Sequence, residues 1–260
     1  MTTRIALFGG IYNNYLALEA AISQASDIGV DTMYCLGDIG AFGPHPDRSF
    51  PLLIDNNIQC IQGNYDDSIG NELEDCQCGY TADRDNHFAQ ISYDYTLANT
   101  NDAYKMFLRT LPKELELEIE DQKILLCHGS PRRTNEFLWE STTPLHFIDM
   151  FLQRRNLDLI AGTHTGIKWH AQSKQGKFIN VGVLGRPEND GSNHVWFTTL
   201  DITRSGILHE FHPVHYDYQR LGKEMQQEGI PHEFIETIHT GWWTTCLEIL
   251  PQKERAAGCH

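Results

Sequence analysis

The sequence predicts an α/β fold, a largely parallel sheet covered by helices, and three observations carry that expectation. Up to Asn64 the chain alternates short apolar runs with amphipathic stretches. Each apolar run stops at a glycine-containing turn. The stretches between runs are long enough to hold a helix, which a crossover between parallel strands requires and a compact all-β domain would not.

The elements follow in order. Ile5-Ala6-Leu7-Phe8, stopped by Gly9-Gly10, reads as a buried strand, and Tyr15 to Ser26 places Leu16, Leu18, Ala21 and Ile22 along one side of a helix. Asp31 to Leu36 is a second strand, followed by Gly37-Asp38. Pro46 through Asn56 reads as a short helix, and Ile58 to Gln62 as a strand ending at Gly63-Asn64. From Ile69 to Leu111 the signals weaken, with a helix expected at Asn99 to Arg109, closed by Leu111-Pro112. Glu114 to Glu120 alternates like a half-exposed strand, and Lys123 to Cys127 is a buried one followed by His128-Gly129-Ser130. A helix over Pro144 to Arg154 leads into a strand at Leu157 to Ala161 and then Gly162-Thr163-His164-Thr165. Lys177 to Gly182, His194 to Leu200 and Ile207 to Val214 read as strands of a second sheet. Tyr218 to Ile238 is helical with a break at Gly229-Ile230-Pro231. The expected organisation is one domain over residues 1–215, with residues 216–260 as a helical extension packed on it.

Charge narrows the classes of function. Against 20 Lys and Arg stand 35 Asp and Glu, a formal net charge of -15 over 260 residues. Broad affinity for a nucleic-acid backbone or an anionic membrane is therefore not expected. A small phosphorylated ligand stays in play, because a bound cation reverses the charge locally. The N-terminal residues show no secretory signal pattern and no apolar run is long enough to span a bilayer, so a cytoplasmic protein is expected. The seven cysteines, odd in number and irregularly spaced, read as reduced thiols, and Cys76-Gln77-Cys78 is weak support for zinc. The pair Trp242-Trp243 hints at a buried tail or a homodimer contact.

Polar residues collect where strands end: Gly37-Asp38, Gly63-Asn64-Tyr65-Asp66, His128-Gly129-Ser130 and Gly162-Thr163-His164-Thr165. Loops at the carboxyl ends of parallel strands converge, and Asp, Asn and His together suit a divalent transition metal. A lone Asp in such a place more often caps a turn, and a lone His is more often structural. Four in this order shift the balance.

In that order the chain resembles the calcineurin-like metallophosphoesterases, and among them the compact bacterial and archaeal phosphodiesterase branch. That family carries Asp-x-His, Gly-Asp, Gly-Asn-His-Asp, an isolated His and Gly-His-x-His; the corresponding blocks here are Gly10-Ile11-Tyr12, Gly37-Asp38, Gly63-Asn64-Tyr65-Asp66, His128 and Gly162-Thr163-His164-Thr165. The resemblance spans about residues 4 to 200 and implies a four-layer α-β-β-α sandwich of two mixed sheets flanked by helices. It implies phosphoric ester hydrolysis by two metals. Gly10, Tyr12 and Thr165 stand at three ligand positions of the first metal, which is therefore expected to be lost. Asp38, Asn64 and His128 keep the second, with His164 one residue away from the fourth position, now Thr163. One divalent ion per chain (manganese, iron, zinc or nickel) is expected. Tyr65 stands at the catalytic histidine, beside Asp66, and Tyr12, Asn13 and Arg132 are candidates to contact phosphate. The rival expectation is a protein of this fold that binds a small ligand or a protein without hydrolysis.

Overall fold

The computed structural model describes residues 1–256; the last part of the expected extension, residues 257–260, lies outside the described residues. Two five-stranded sheets are stacked and flanked by helices. In the first sheet, β1 (Thr3–Phe8) pairs in parallel with β2 (Thr32–Cys35), which pairs in parallel with β3 (Gln59–Cys60). On the other edge of β1 lies β9 (Val195–Thr203), antiparallel, and beyond it β10 (Gly206–Val214). The second sheet runs β4 (Glu114–Ile119), β5 (Gln122–Cys127), β6 (Leu159–Gly162), β8 (Lys177–Asn180), β7 (Trp169–Gln172), with β5, β6 and β8 parallel and the two outer strands antiparallel.

The strands expected to form one second sheet divide between the two. β8 joins β6, whereas β9 and β10 return to the first sheet, because β1 has β2 on one side only and β9 covers its other edge. Strand alternation then sorts the core. Ile5 and Leu7 of β1 face the second sheet with Tyr34, Leu36, Ile124, Leu126, Leu159 and Leu200, all buried. Ala6 and Phe8 face outward into the layer of α1 (Tyr15–Ile28), which buries Ala17, Leu18, Ala21 and Ala25. Leu125, Cys127 and Ile160 face α6 (Leu145–Arg155) on the far side of the second sheet. Four layers result.

α2 (Ser49–Asp55) lies between β2 and β3 behind a 3-10 turn at Pro46–Arg48, and α3 (Asn64–Asn71) starts after three residues past the end of β3. α4 (Asp83–Asn99) and α5 (Asp102–Thr110) fill the region of weak sequence signals. The buried positions of α4 include Asp85, Ser92 and Thr96, so its inward stripe is helical in spacing but not apolar in composition. Here Cys76 and Cys78 form a disulfide, against the expectation of reduced thiols; Gln77 between them adopts φ 50 and brings their Cα atoms to 5.4 Å, inside the bonding range. At the C-terminus α7 (Tyr218–Gln227) and α8 (His232–Thr240) set Leu221, Met225, Phe234 and Ile238 against Tyr15, Leu16 and Phe88. Trp243 is buried and its indole N–H donates to Pro187 O at 2.7 Å, so a buried tail accounts for it. No described helix is long and apolar enough to cross a membrane.

Candidate metal centre

The loops after β2, β5 and β6 bring Asp38, His128 and His164 together, with donor atoms all within 4.8 Å of one another and all three residues buried. His128 Nε2 lies 3.2 Å from Asp38 Oδ2 and 3.2 Å from His164 Nδ1. The other ring nitrogen of His128, Nδ1, is 2.7 Å from Leu36 O, and a carbonyl can only accept. That fixes the proton on Nδ1 in the neutral ring and leaves the Nε2 lone pair facing a carboxylate and a second imidazole. Lone pairs converging in this way, with a carbonyl holding the far side of a histidine, are what a cation site requires.

The two imidazoles differ in charge state. Burial, the largest single influence, opposes a protonated His128, but Asp38 together with the Leu36 carbonyl and Asp66 raises its pKa above the ordinary 6.5. Burial, reinforced by repulsion from His128, holds His164 down to about 3, so that ring is neutral at neutral pH and free to donate. Asn64 supplies a further test. Its Nδ2 donates to Cys76 O at 2.8 Å and approaches Cys78 Sγ at 3.3 Å, while its Oδ1 is buried without a partner. An orphaned buried carbonyl costs stability unless a donor or a cation reaches it, and an amide oxygen is a good ligand for a hard or borderline ion. Asp38, His128 and His164 fit one divalent transition metal, and the free amide oxygen of Asn64 is a further donor on the neighbouring loop.

The site is held by Asp66 and the start of α3. Asp66 accepts from Asp38 N (2.7 Å), Ile39 N (3.0 Å) and Gly63 N (2.8 Å), tying the loops after β2 and β3 together. Burial and the nearby charge of Asp38 raise its pKa to about 6. Asp38 Oδ1 in turn accepts from Tyr65 N at 3.0 Å. A Cβ on Gly63 would lie 2.2 Å from that same Oδ1, so glycine there keeps Asp38 in place.

The remaining sequence candidates sit elsewhere in the structure. The Tyr65 hydroxyl is buried and engaged by α4, 3.2 Å from Ala89 O and 3.2 Å from Ser92 Oγ. Asn13 donates to Gly43 O and Thr96 Oγ1. Arg132 is exposed, paired with Glu136 and laid over the Phe147 ring at 4.7 Å. Its neighbour Arg133 lines a cleft of about 330 Å³ with Asn64, Lys113, Asp67 and Asn135. Sequence reading missed Arg133 and Lys113 as a pair, because Lys113 precedes β4 and Arg133 follows β5, and only the sheet brings them to one cleft. Thr163 and Thr165 serve as hydroxyl partners within the loop: Thr163 Oγ1 donates to Gly182 O at 2.7 Å, and Thr165 Oγ1 accepts from Asn180 Nδ2 at 2.8 Å.

Tyr12 fills space. A Cβ on Gly10 would come within 2.4 Å of Tyr12 Cε1, and one on Gly185 within 2.2 Å of Cδ2. Neither glycine has a positive φ, so both are required by the ring between them and not by the backbone. Tyr12 is buried and edge-on to Phe42, with ring centroids 5.2 Å apart. Burial first, and then the charge of Asp38, raise its pKa, so its hydroxyl stays protonated.

A model of the calcineurin-like phosphoesterase superfamily domain matches residues 4–204. The chain belongs to that superfamily. It is 26% identical over 254 residues to the uncharacterized protein MJ0912 of Methanocaldococcus jannaschii, covering 91% of this chain and 98% of that one. Its fold is similar to that of a metallophosphoesterase from Sphaerobacter thermophilus (TM-score 0.71, 22% identity, 93% of this chain and all of that one). It is likewise similar to the hypothetical protein PH1004 from Pyrococcus horikoshii OT3 (TM-score 0.75, 20% identity, 93% of this chain and all of that one). Within this superfamily the chain has an atypical site, with three converging charged or imidazole donors and the Gly10 and Tyr12 substitutions beside them.

Proposed function

We propose that this protein is a metal-dependent phosphoric ester hydrolase, a phosphatase or phosphodiesterase, that works with one divalent ion per chain on a small phosphorylated substrate. The observation that carries the reading is the convergence of Asp38, His128 and His164 within 4.8 Å. Asp38, His128, His164 and Asn64 would hold manganese, iron, zinc or nickel, whose chemistry there is Lewis-acid polarisation of a phosphoryl oxygen and of a water molecule.

The chain's own residues do the rest. Asp66 and the Tyr65 amide hold Asp38 in its ligating pose, and the Leu36 carbonyl keeps the proton of His128 on Nδ1. Arg133 and Lys113, on the cleft that Asn64 lines, offset the negative charge of an entering ester. The Tyr12 hydroxyl, protonated at neutral pH, can donate but is a poor proton shuttle.

Two observations favour a second reading, a non-hydrolytic phospho-ligand binder. The Tyr65 hydroxyl stands at the family's general-acid position and is engaged by α4, and the Tyr12 ring occupies space beside the centre. Elemental analysis of protein purified without chelator, with a chromogenic monoester and diester as substrates, separates the two. About one ion per chain, lost in Asp38→Ala and His128→Ala together with turnover, supports the hydrolase. One ion with phosphate binding but no turnover supports the binder. No ion, even after soaking with those metals, refutes the hydrolase and leaves the binder.

A further inference from the structure

Arg186 lies in the loop between β8 and β9, directly after the Gly185 that packs on Tyr12. Its side chain is 7% exposed, its Nε is buried without a partner, and no carboxylate among the described residues pairs with it. The nearby Glu188 is taken by Lys168. Instead, aromatic rings hold the guanidinium: Cζ lies 3.5 Å from the Trp243 ring centroid and 5.1 Å from that of Phe42. Its Nη2 is 3.5 Å from where a Cβ on Gly166 would stand, two residues past His164. The arginine also lines a small, mainly apolar cavity of about 20 Å³ walled by Phe42 and by Leu221, Met225, Phe234 and Ile238 of α7 and α8, room for an atom or group about the size of a water molecule.

A ring face attracts the cation but accepts none of its N–H bonds, and an arginine presents five donors in a fixed fork. A buried cation without an anion is costly, so the arrangement calls for a negatively charged partner beyond the described residues. The positive charge is felt nearby, since Arg186 acts to lower the pKa of Tyr12, Tyr80 and His164. Gly185 beside the arginine packs on Tyr12, and Gly166 near its Nη2 follows Thr165 directly, so two of the residues that offer no metal ligand lie next to it.

We propose that Arg186 is an oxyanion-binding residue of this centre, with its guanidinium holding non-bridging oxygens of the phosphoryl group that the Asp38–His128–His164 site draws in. A guanidinium fork matches a tetrahedral phosphoryl group in two hydrogen bonds and carries its charge at every working pH. It supplies beside the single ion the positive charge that a second ion would otherwise bring. The ligand class is therefore a small phosphorylated molecule. The inference rests on the metal reading in one respect, that ion and arginine hold the same phosphoryl group.

The test titrates inorganic phosphate by calorimetry into manganese-loaded and chelator-treated protein, for the parent chain, Arg186→Met and Arg186→Lys. Metal content and thermal melting are followed in parallel. Arg186→Met is expected to keep its manganese and weaken phosphate about tenfold or more, with Arg186→Lys in between. Phosphate-free melting is expected to be unchanged or raised in Arg186→Met, since a costly charge is gone. Phosphate affinity within about twofold of the parent, with a lowered melting temperature, would overturn the inference and make Arg186 a clamp for the Trp243 segment. If Arg186→Met does not fold, Arg186→Lys decides alone, and equal affinity refutes. Arg186-dependent phosphate binding without manganese would leave the arginine site standing while the metal reading fails.

Discussion

The lock between Gly10, Tyr12 and Gly185 can be opened from one side at a time. In Gly10→Asp the new Cβ falls 2.4 Å from Tyr12 Cε1 and 2.7 Å from Cζ. Carbon atoms pack at about 3.5–4.0 Å, so the overlap exceeds about 1 Å and the buried ring has no free direction to move. Overpacking of this kind costs about 1–3 kcal/mol, and the added buried carboxylate beside Asp38 increases the loss. Tyr12→His removes the far end of the ring and by itself leaves a void, also destabilising by about 1–3 kcal/mol. Combined, the two changes relieve each other, and the double variant is expected to be more stable than the sum of the singles by about 0.5–3 kcal/mol. Urea unfolding of the four proteins, in the presence of chelator, measures this coupling directly. Additivity within about 0.3–0.5 kcal/mol would show that the ring does not exclude a side chain at position 10, and the account of Tyr12 as a space-filler would fail. With manganese present, adding Thr165→His to the double variant completes a second donor set, and elemental analysis should then rise toward two ions per chain.

Other parts of the site make their own predictions. Asp66→Ala leaves three backbone N–H groups without an acceptor, those of Asp38, Ile39 and Gly63, and should cost about 3 kcal/mol or more in urea unfolding. A loss under about 0.5 kcal/mol would mean that Asp66 does not hold the loops. Metal affinity should fall with pH chiefly through His128: its pKa is raised above 6.5 without metal, so a proton competes below that value, Asp66 at about 6 loosens the hold on Asp38 at the acid end, and His164, at about 3, does not compete. Manganese titrations between about pH 5.5 and 8 should show about tenfold weaker binding per pH unit below the His128 value, and a flat profile would contradict the assignment. Phe234→Ala removes the ring that meets Phe42 at 5.0 Å and Phe88 at 5.8 Å and should cost about 3–5 kcal/mol. If the helical extension folds with the rest, the loss appears in one unfolding transition; a separate early transition would show that it folds independently.

Much of the frame was legible because a strand buried on both faces leaves a continuous apolar run, as in Ile5 to Phe8 and Ile124 to Cys127. Asp38 and His128 were readable as donors because both stand at strand ends, His128 at once after Cys127 and Asp38 one glycine after Leu36. His164 was ambiguous: one residue of offset on a strand turns a side chain away, but His164 adopts φ 60, and this left-handed turn brings its ring to His128. Backbone conformation of that kind is not written in residue types. α4 was invisible because Asp85, Ser92 and Thr96 occupy its inward positions. Tyr12 could not be read as a filler, because Gly185, which makes room for it, is far away in sequence. Arg186 gave no signal beyond a lone arginine in a glycine-rich run, and only the Trp243 and Phe42 rings around it show that it is buried.

The hydrogen bond from His128 to Leu36 has a mechanical side. Leu36 and Asp38 belong to the end of one sheet, His128 and His164 to the end of the other, and an ion shared among them would rivet the two slabs at one edge. Sliding one slab against the other by even a fraction of a side-chain diameter would pull the donors out of range. Ion occupancy would then act as a strain gauge for the greasy seam between the slabs. A shape change deep in that seam, such as Leu126→Ala, would be felt as faster metal release with every donor untouched, and free ion at about 100 times its dissociation constant would oppose such sliding by about 2.7 kcal/mol.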